Sequence, residues 1–126
     1  MDNVIFSYTR KQAIEDGVLV DLTQGELGEL LKEAGFKIHT AMTATAFAEA
    51  VAKEGEELPA GQDVKGRLWD VLFVLRMAIR KVSGDRVHFE VSVFDGDNHN
   101  KVKLWAMVGP GDEAEPVLTI MLEGED

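Results

Sequence analysis

The side chains able to move a proton or hold a ligand are few. Histidines stand at 39, 88 and 99, and there is no cysteine, which removes disulfides, thiolate metal sites and cysteine nucleophiles together. His88 and Glu90 lie two residues apart in an alternating run, so they point to one face of a strand. With Trp105 opposite Glu90 and Met107 opposite His88, they would form a small polar cleft holding a tunable proton acceptor. No nucleophile or oxyanion donor is identifiable beside them, and a half-exposed pair on a sheet surface explains the same residues.

Asp95-x-Asp97-x-His99 sets two carboxylates and an imidazole at alternate positions, as ligands of one cation would be. As a calcium loop it fails, because Asn100 stands where the turn glycine belongs and Ala106 where the bidentate glutamate belongs. As a transition-metal site it has nothing behind the ligands to orient them. Turn chemistry accounts for the segment, and neither a metal nor a cofactor is expected. The metalloprotease, nucleophile-elbow, P-loop and dinucleotide-binding patterns do not occur.

These residues must be positioned by elements legible in the sequence. Asn3 to Phe6 is a short apolar run that reads as an edge strand. Thr9-x-x-Gln12 has capping-box spacing and opens a short helix that stops at Gly17. Val18–Leu22 is β-rich. Thr23-x-x-Glu26 reads as a second capping box, opening an amphipathic helix to Gly35 with Leu27, Leu30, Leu31 and Ala34 on one face. Residues 36–43 read equally as strand or loop. Thr43 caps a third helix, and the stretch 53–62 reads as a surface loop.

Asp63 caps the longest expected helix, from about Val64 to Val82 and closed by Gly84. Val64, Leu68, Val71, Leu72, Leu75, Ala78, Ile79 and Val82 share one face, while Trp69, Phe73 and Met77 project from the other, flanked by Arg76 and Arg80. A helix apolar on two sides is either sandwiched between layers or shows an aromatic–arginine strip of the composition found at interface hot spots.

The C-terminal third alternates with period two in three runs, separated by turn-rich residues 95–100 and 109–116. Opposing Val93 to Val102 and Val108 to Leu118 keeps the apolar set on one face. Trp105, Met107 and Met121 then share the second face with His88 and Glu90. Either the N-terminal helices cover that face or a partner does. The fold expected is α+β: N-terminal helices, one long central helix and a C-terminal antiparallel three-stranded β-meander, open to extension by Val18–Leu22 or Asn3–Phe6, in one domain over 1–126.

The 126 residues suffice to bury about two-thirds of the chain's surface. No apolar run approaches membrane-spanning length and no secretory leader opens the chain, so a cytoplasmic address is expected. The formal net charge is −10. Residues 1–63 carry 5 basic and 12 acidic side chains, residues 64–111 carry 8 and 5, and residues 112–126 carry none and 6. This balance argues against nucleic-acid or anionic-membrane binding, and internal pairing of the basic middle with the acidic ends explains its eight cations. An acidic decoy of a nucleic-acid-binding protein is a further alternative, but here the acids cluster in loops and termini.

Three stretches resemble a known family as a set. They are residues 8–21 (YTRKQAIEDGVLVD) with Ala34–Lys37, Gly66–Leu72 (GRLWDVL), and Gly109–Asp112 with Glu115–Leu122 (EPVLTIML). Together they resemble a bacterial domain family of unknown function, often met on plasmids, prophages and integrative elements. The resemblance spans nearly the whole chain and names no activity, so no site residue is carried over. The function expected is a small non-enzymatic interaction or accessory protein of a mobile element, with a protein partner or a second copy of itself. Its surface would be Trp105, Met107 and Met121, or Phe73, Arg76 and Arg80. The alternative is a small-molecule-binding or enzymatic domain using the His88–Glu90–Trp105 face.

Overall fold

A computed structural model of the chain describes residues 8–80 and 86–125. The expected strand at Asn3–Phe6 and the helix end at Val82–Gly84 lie outside the described residues. The Thr9 hydroxyl accepts from the Gln12 amide and the Gln12 side chain returns to the Thr9 amide, which opens α1 (Arg10–Glu15). Gly17, at φ +79°, takes the left-handed conformation that ends it. Strand β1 (Leu19–Asp21) follows, then α2 (Gly25–Glu33) and β2 (His39–Thr43). The Thr43 and Asp63 side chains cap α3 (Ala44–Ala50) and α4 (Val64–Ile79). Strands β3 (Arg86–Phe94), β4 (His99–Pro110) and β5 (Pro116–Leu122) complete the order.

The expected architecture is corrected in two respects. The sheet is not a three-stranded antiparallel meander but a five-stranded mixed sheet of order β1-β2-β5-β4-β3. Strand β2 runs parallel to β5, pairing His39 with Val117 and Met42 with Ile120. It gave no alternation because Thr40, Ala41 and Met42 are all fully buried, as in a central strand covered on both faces. Nor does one long helix dominate. The helices have 6, 9, 7 and 16 residues, and α4 ends at Ile79 with Arg80 as its C-cap.

Register between β3 and β4 differs by two residues from the expected pairing. Val91 opposes Val102, His88 opposes Trp105 and Glu90 opposes Lys103, because His99 and Asn100 pair with Phe94 and Val93 instead of joining the turn. A two-residue slip preserves the faces, so Val87, Phe89, Val91, Leu104 and Ala106 still enter the core together. Leu68, Val71, Leu72 and Leu75 of α4 join Leu30, Leu31, Ala46 and Ala50 on that side. Helix α1 meets the sheet's other face, where Arg10 reaches Thr119.

Thr23 does not cap α2. Its amide and hydroxyl both donate to Asp21 Oδ1, and Gln24, the actual N-cap, makes no side-chain cap bond. Gly28 lies where a Cβ would run into the Thr23 carbonyl oxygen. Gly28→Ala, which favours an isolated helix by about 1 kcal/mol, should here lower stability by about 1–3 kcal/mol through that backbone clash. Urea unfolding checks the sign; a stabilised variant would refute the close approach.

Candidate functional site

The second face of the sheet is covered by the chain itself. Trp105 and Met121 are each 5% exposed and Met107 is half-buried. Trp105 Nε1 donates to the carbonyls of Leu122 (3.0 Å) and Glu125 (3.1 Å). The Arg86 guanidinium lies 3.9 Å from the indole centroid, and the His88 ring stacks at 6.1 Å with a 17° interplanar angle. The turn after β5 is held in place by Glu125, whose carboxylate accepts from the Thr43 (2.7 Å) and Thr45 (2.6 Å) hydroxyls and the Leu122 amide (2.8 Å). Burial acts to raise the Glu125 pKa, but these three hydrogen bonds outweigh it and the net shift is downward. His88 Nδ1 stands 3.8 Å from Glu123, and Glu90 stands 3.9 Å from Lys101. His88 and Trp105 therefore meet, while Glu90 turns to a lysine.

The second set behaves differently. Trp69, Phe73, Arg76, Met77 and Arg80, with Ala34, line a groove of about 250 Å³ on the outer side of α4. Phe73 is 53% exposed and Met77 40%. Trp69 is half-buried and packs against the edge of the core. Arg76 Nη1 donates to the Ala34 carbonyl (2.6 Å), where it closes the C-terminus of α2. Gly35 takes φ +95°, a conformation in which an L side chain is strained, and a Cβ there would also displace that guanidinium.

Arg67, Arg76, Arg86 and Lys101 find partners other than the acidic side chains of the two ends, so the expected pairing with those ends does not account for them. Arg67 is buried and holds two carbonyls, Arg86 lies on the indole, and Lys101 is near Glu90. In the 95–99 segment, the Asp95 carboxylate accepts from the Asp97 and Asn98 amides (2.8 and 2.7 Å) and from Asn100 Nδ2 (2.8 Å), while the His99 ring packs on Phe94 at 4.9 Å. The Asn98 and Asp97 amides, with Asn100, hold the Asp95 pKa down at about 2, against an ordinary 3.8. A depressed carboxylate contributes its stability above the ordinary value and loses it as pH falls through the folded one. The turn should therefore hold above pH 3.8 and release as pH falls toward about 2. Carbon-detected NMR titration of the Asp95 carboxyl should show that midpoint, and a midpoint near 3.8 would contradict the turn geometry.

The densest polar cluster was not singled out from the sequence. Arg10 Nε donates to His39 Nδ1 (3.3 Å), and its other nitrogens donate to Thr119 Oγ1 (2.6 Å) and the Leu118 carbonyl (2.9 Å). His39 Nε2 stands 3.3 Å from Asp21 Oδ1. Burial lowers the Arg10 pKa, opposed by Asp21, Asp112 and Glu115. Burial acts to raise the Asp21 pKa, but the Thr23 hydrogen bonds and His39 outweigh it, and the net shift is downward. Asp112, from the β4–β5 connection, accepts from the Arg10 and Lys11 amides, which lowers its pKa. Both nitrogens of His39 thus face protein partners, Nδ1 the Arg10 guanidinium and Nε2 the Asp21 carboxylate, and the ring ties α1, β1 and β2 together.

His39 also separates two clefts. One, of about 380 Å³, is lined by Arg10, Lys11, Glu15, Asp21, Asp112 and Glu115 among others. The other, of about 530 Å³, runs along α2 and residues 35–39. The available signal was a histidine within residues 36–43, a segment that reads equally as strand or loop, and Arg10 and Thr119 are 109 residues apart.

No helix among the described residues is long and apolar enough to cross a membrane. No curated protein and no solved structure matches the chain. A model of a family of unknown function (DUF6573) matches residues 1–126, and the protein belongs to that family.

Proposed function

We propose that this is a small non-enzymatic interaction protein that takes an acidic, partly apolar segment of a protein partner on the outer face of α4. The observation carrying this reading is the open stripe of Phe73 and Met77 beside Trp69 and between Arg76 and Arg80. Aromatic and arginine side chains in a desolvated groove are the composition of binding hot spots. The two arginines select an acidic segment, and α4's own core is complete without the stripe. The His88–Glu90–Trp105 face supports the small-molecule alternative less well, since Arg86, His88 and residues 122–125 occupy the indole. The setting, an accessory role in the bacterial cytoplasm beside plasmid or prophage machinery, rests on the family resemblance.

Photo-crosslinking in the native host tests this, with p-benzoylphenylalanine placed at position 73 or at exposed Glu29. A discrete adduct at 73 that is absent at 29, and is lost on Arg80→Glu, is the expected result. No adduct at 73, or the same adducts at both positions, overturns it. An adduct of twice the chain's mass replaces the partner by a second copy. Phe73→Asp should change folding stability by no more than about 0.5 kcal/mol, as at other exposed positions.

A further inference from the structure

We propose that the cleft between α2 and residues 35–39 binds a small apolar monocarboxylate whose charge is received by Lys32 and Lys37. Its volume, about 530 Å³, falls within the range of small-molecule sites. Leu31 is buried at its floor, and Phe36 and Ile38 are half-buried in its wall, so an apolar body gains contact on three sides.

The charges around the cleft choose the ligand's sign. Its lining includes Lys32 and Lys37 and no acidic side chain, in a chain whose net charge is −10. Glu29 lies 3.9 Å from Lys32, but both groups are more than three-quarters exposed, and such a pair neutralises little. The far end is closed by His39, whose nitrogens are held by Arg10 and Asp21. Beyond it, the neighbouring cleft carries four acids, Glu15, Asp21, Asp112 and Glu115, against two cations, Arg10 and Lys11. The lining of this cleft thus has a net positive charge while the neighbouring one has a net negative charge, so a carboxylate is drawn to Lys32 and Lys37.

A single negative charge fits better than a phosphate dianion. The lining offers two flexible lysines but no arginine fork, and both stand toward the C-terminal, negative end of the α2 dipole, Lys32 in its last turn and Lys37 just past it. Phosphate sites draw instead on helix N-termini and clustered donors.

The test is an amide NMR titration of the full chain with three probes: 3-phenylpropionate, 3-phenylpropan-1-amine and acetate. Saturable shifts at Leu31, Phe36, Lys37 and Ile38 with 3-phenylpropionate, at least tenfold weaker binding of the amine, and no saturation by acetate are expected. The Lys32→Gln/Lys37→Gln double variant, altered only at exposed side chains, should weaken 3-phenylpropionate at least tenfold with an unchanged thermal midpoint. No saturable binding, equal binding of acid and amine, or undiminished binding by the double variant overturns the proposal. Phe73→Asp should leave the titration unchanged, so this site and the α4 surface stand or fall separately.

Discussion

Arg67→Met should lower the unfolding free energy by about 3–5 kcal/mol, because it strips charged donors from two carbonyls at once. Arg67 is 7% exposed; Nη1 donates to the Val51 carbonyl at 2.8 Å and Nη2 to the Phe94 carbonyl at 2.6 Å. Val51 is the C-cap of α3, where helical carbonyls have run out of partners, and Phe94 closes β3. One guanidinium therefore ties three elements, and methionine fills the space without satisfying either oxygen. The thermal midpoint should fall by roughly 10–20 °C for a chain of this size. Arg67→Lys should lie between, since one ammonium cannot span two divergent acceptors as the planar fork does. Scanning calorimetry reads both variants; a fall of less than about 1 kcal/mol for the methionine variant would show that water replaces the guanidinium.

Trp105→Ala should cost about 3–4 kcal/mol, in the range of large-to-small changes at buried aromatic positions. The substitution empties a site that is 5% exposed and frees the Leu122 and Glu125 carbonyls from the indole N–H. It also removes the surface on which Arg86 rests. Arg86→Ala, which removes only the cation over the ring, should cost no more than about 1 kcal/mol. Urea unfolding of the two variants compares them directly, and equal losses would mean that the indole is held by the arginine and not by burial. A Trp105 substitution is consequently a stability variant, and it cannot report on partner binding. Phe73 can, because its side chain is half in solvent and the core closes without it.

Local signals were legible where the interaction they encode is local. Thr9, Thr43 and Asp63 cap their helices because a side-chain oxygen meets an amide three residues on. Thr23 carries the same spacing to Glu26 but spends its hydroxyl on Asp21, two residues back, and no helix pattern shows that competition. The faces of β3, β4 and β5 were legible because alternation has period two. The β3–β4 register was not, because His99 and Asn100 have turn-like composition yet pair in the ladder. Trp105, Met107 and Met121 stood out as apolar on a face that alternation alone would leave to solvent, with either the N-terminal helices or a partner expected over them. The contacts over Trp105, from residues 122–125 and Arg86, could be found only once the chain had returned on itself.

By itself the sequence determined the starts of α1, α3 and α4, the two-sided apolar character of residues 64–79, the inward set of the last three strands and the strong acidity of the chain. Each depends on neighbours within one or two turns, or on composition. Tertiary structure alone decided that β2 enters the sheet beside β5, that α1 lies on the opposite face, and that Arg10, Asp21, His39 and Thr119 meet. Those contacts join segments up to 109 residues apart. At that separation, side-chain spacing carries no information about proximity, and the pairing is settled by which arrangement buries both faces of β2 while satisfying its backbone.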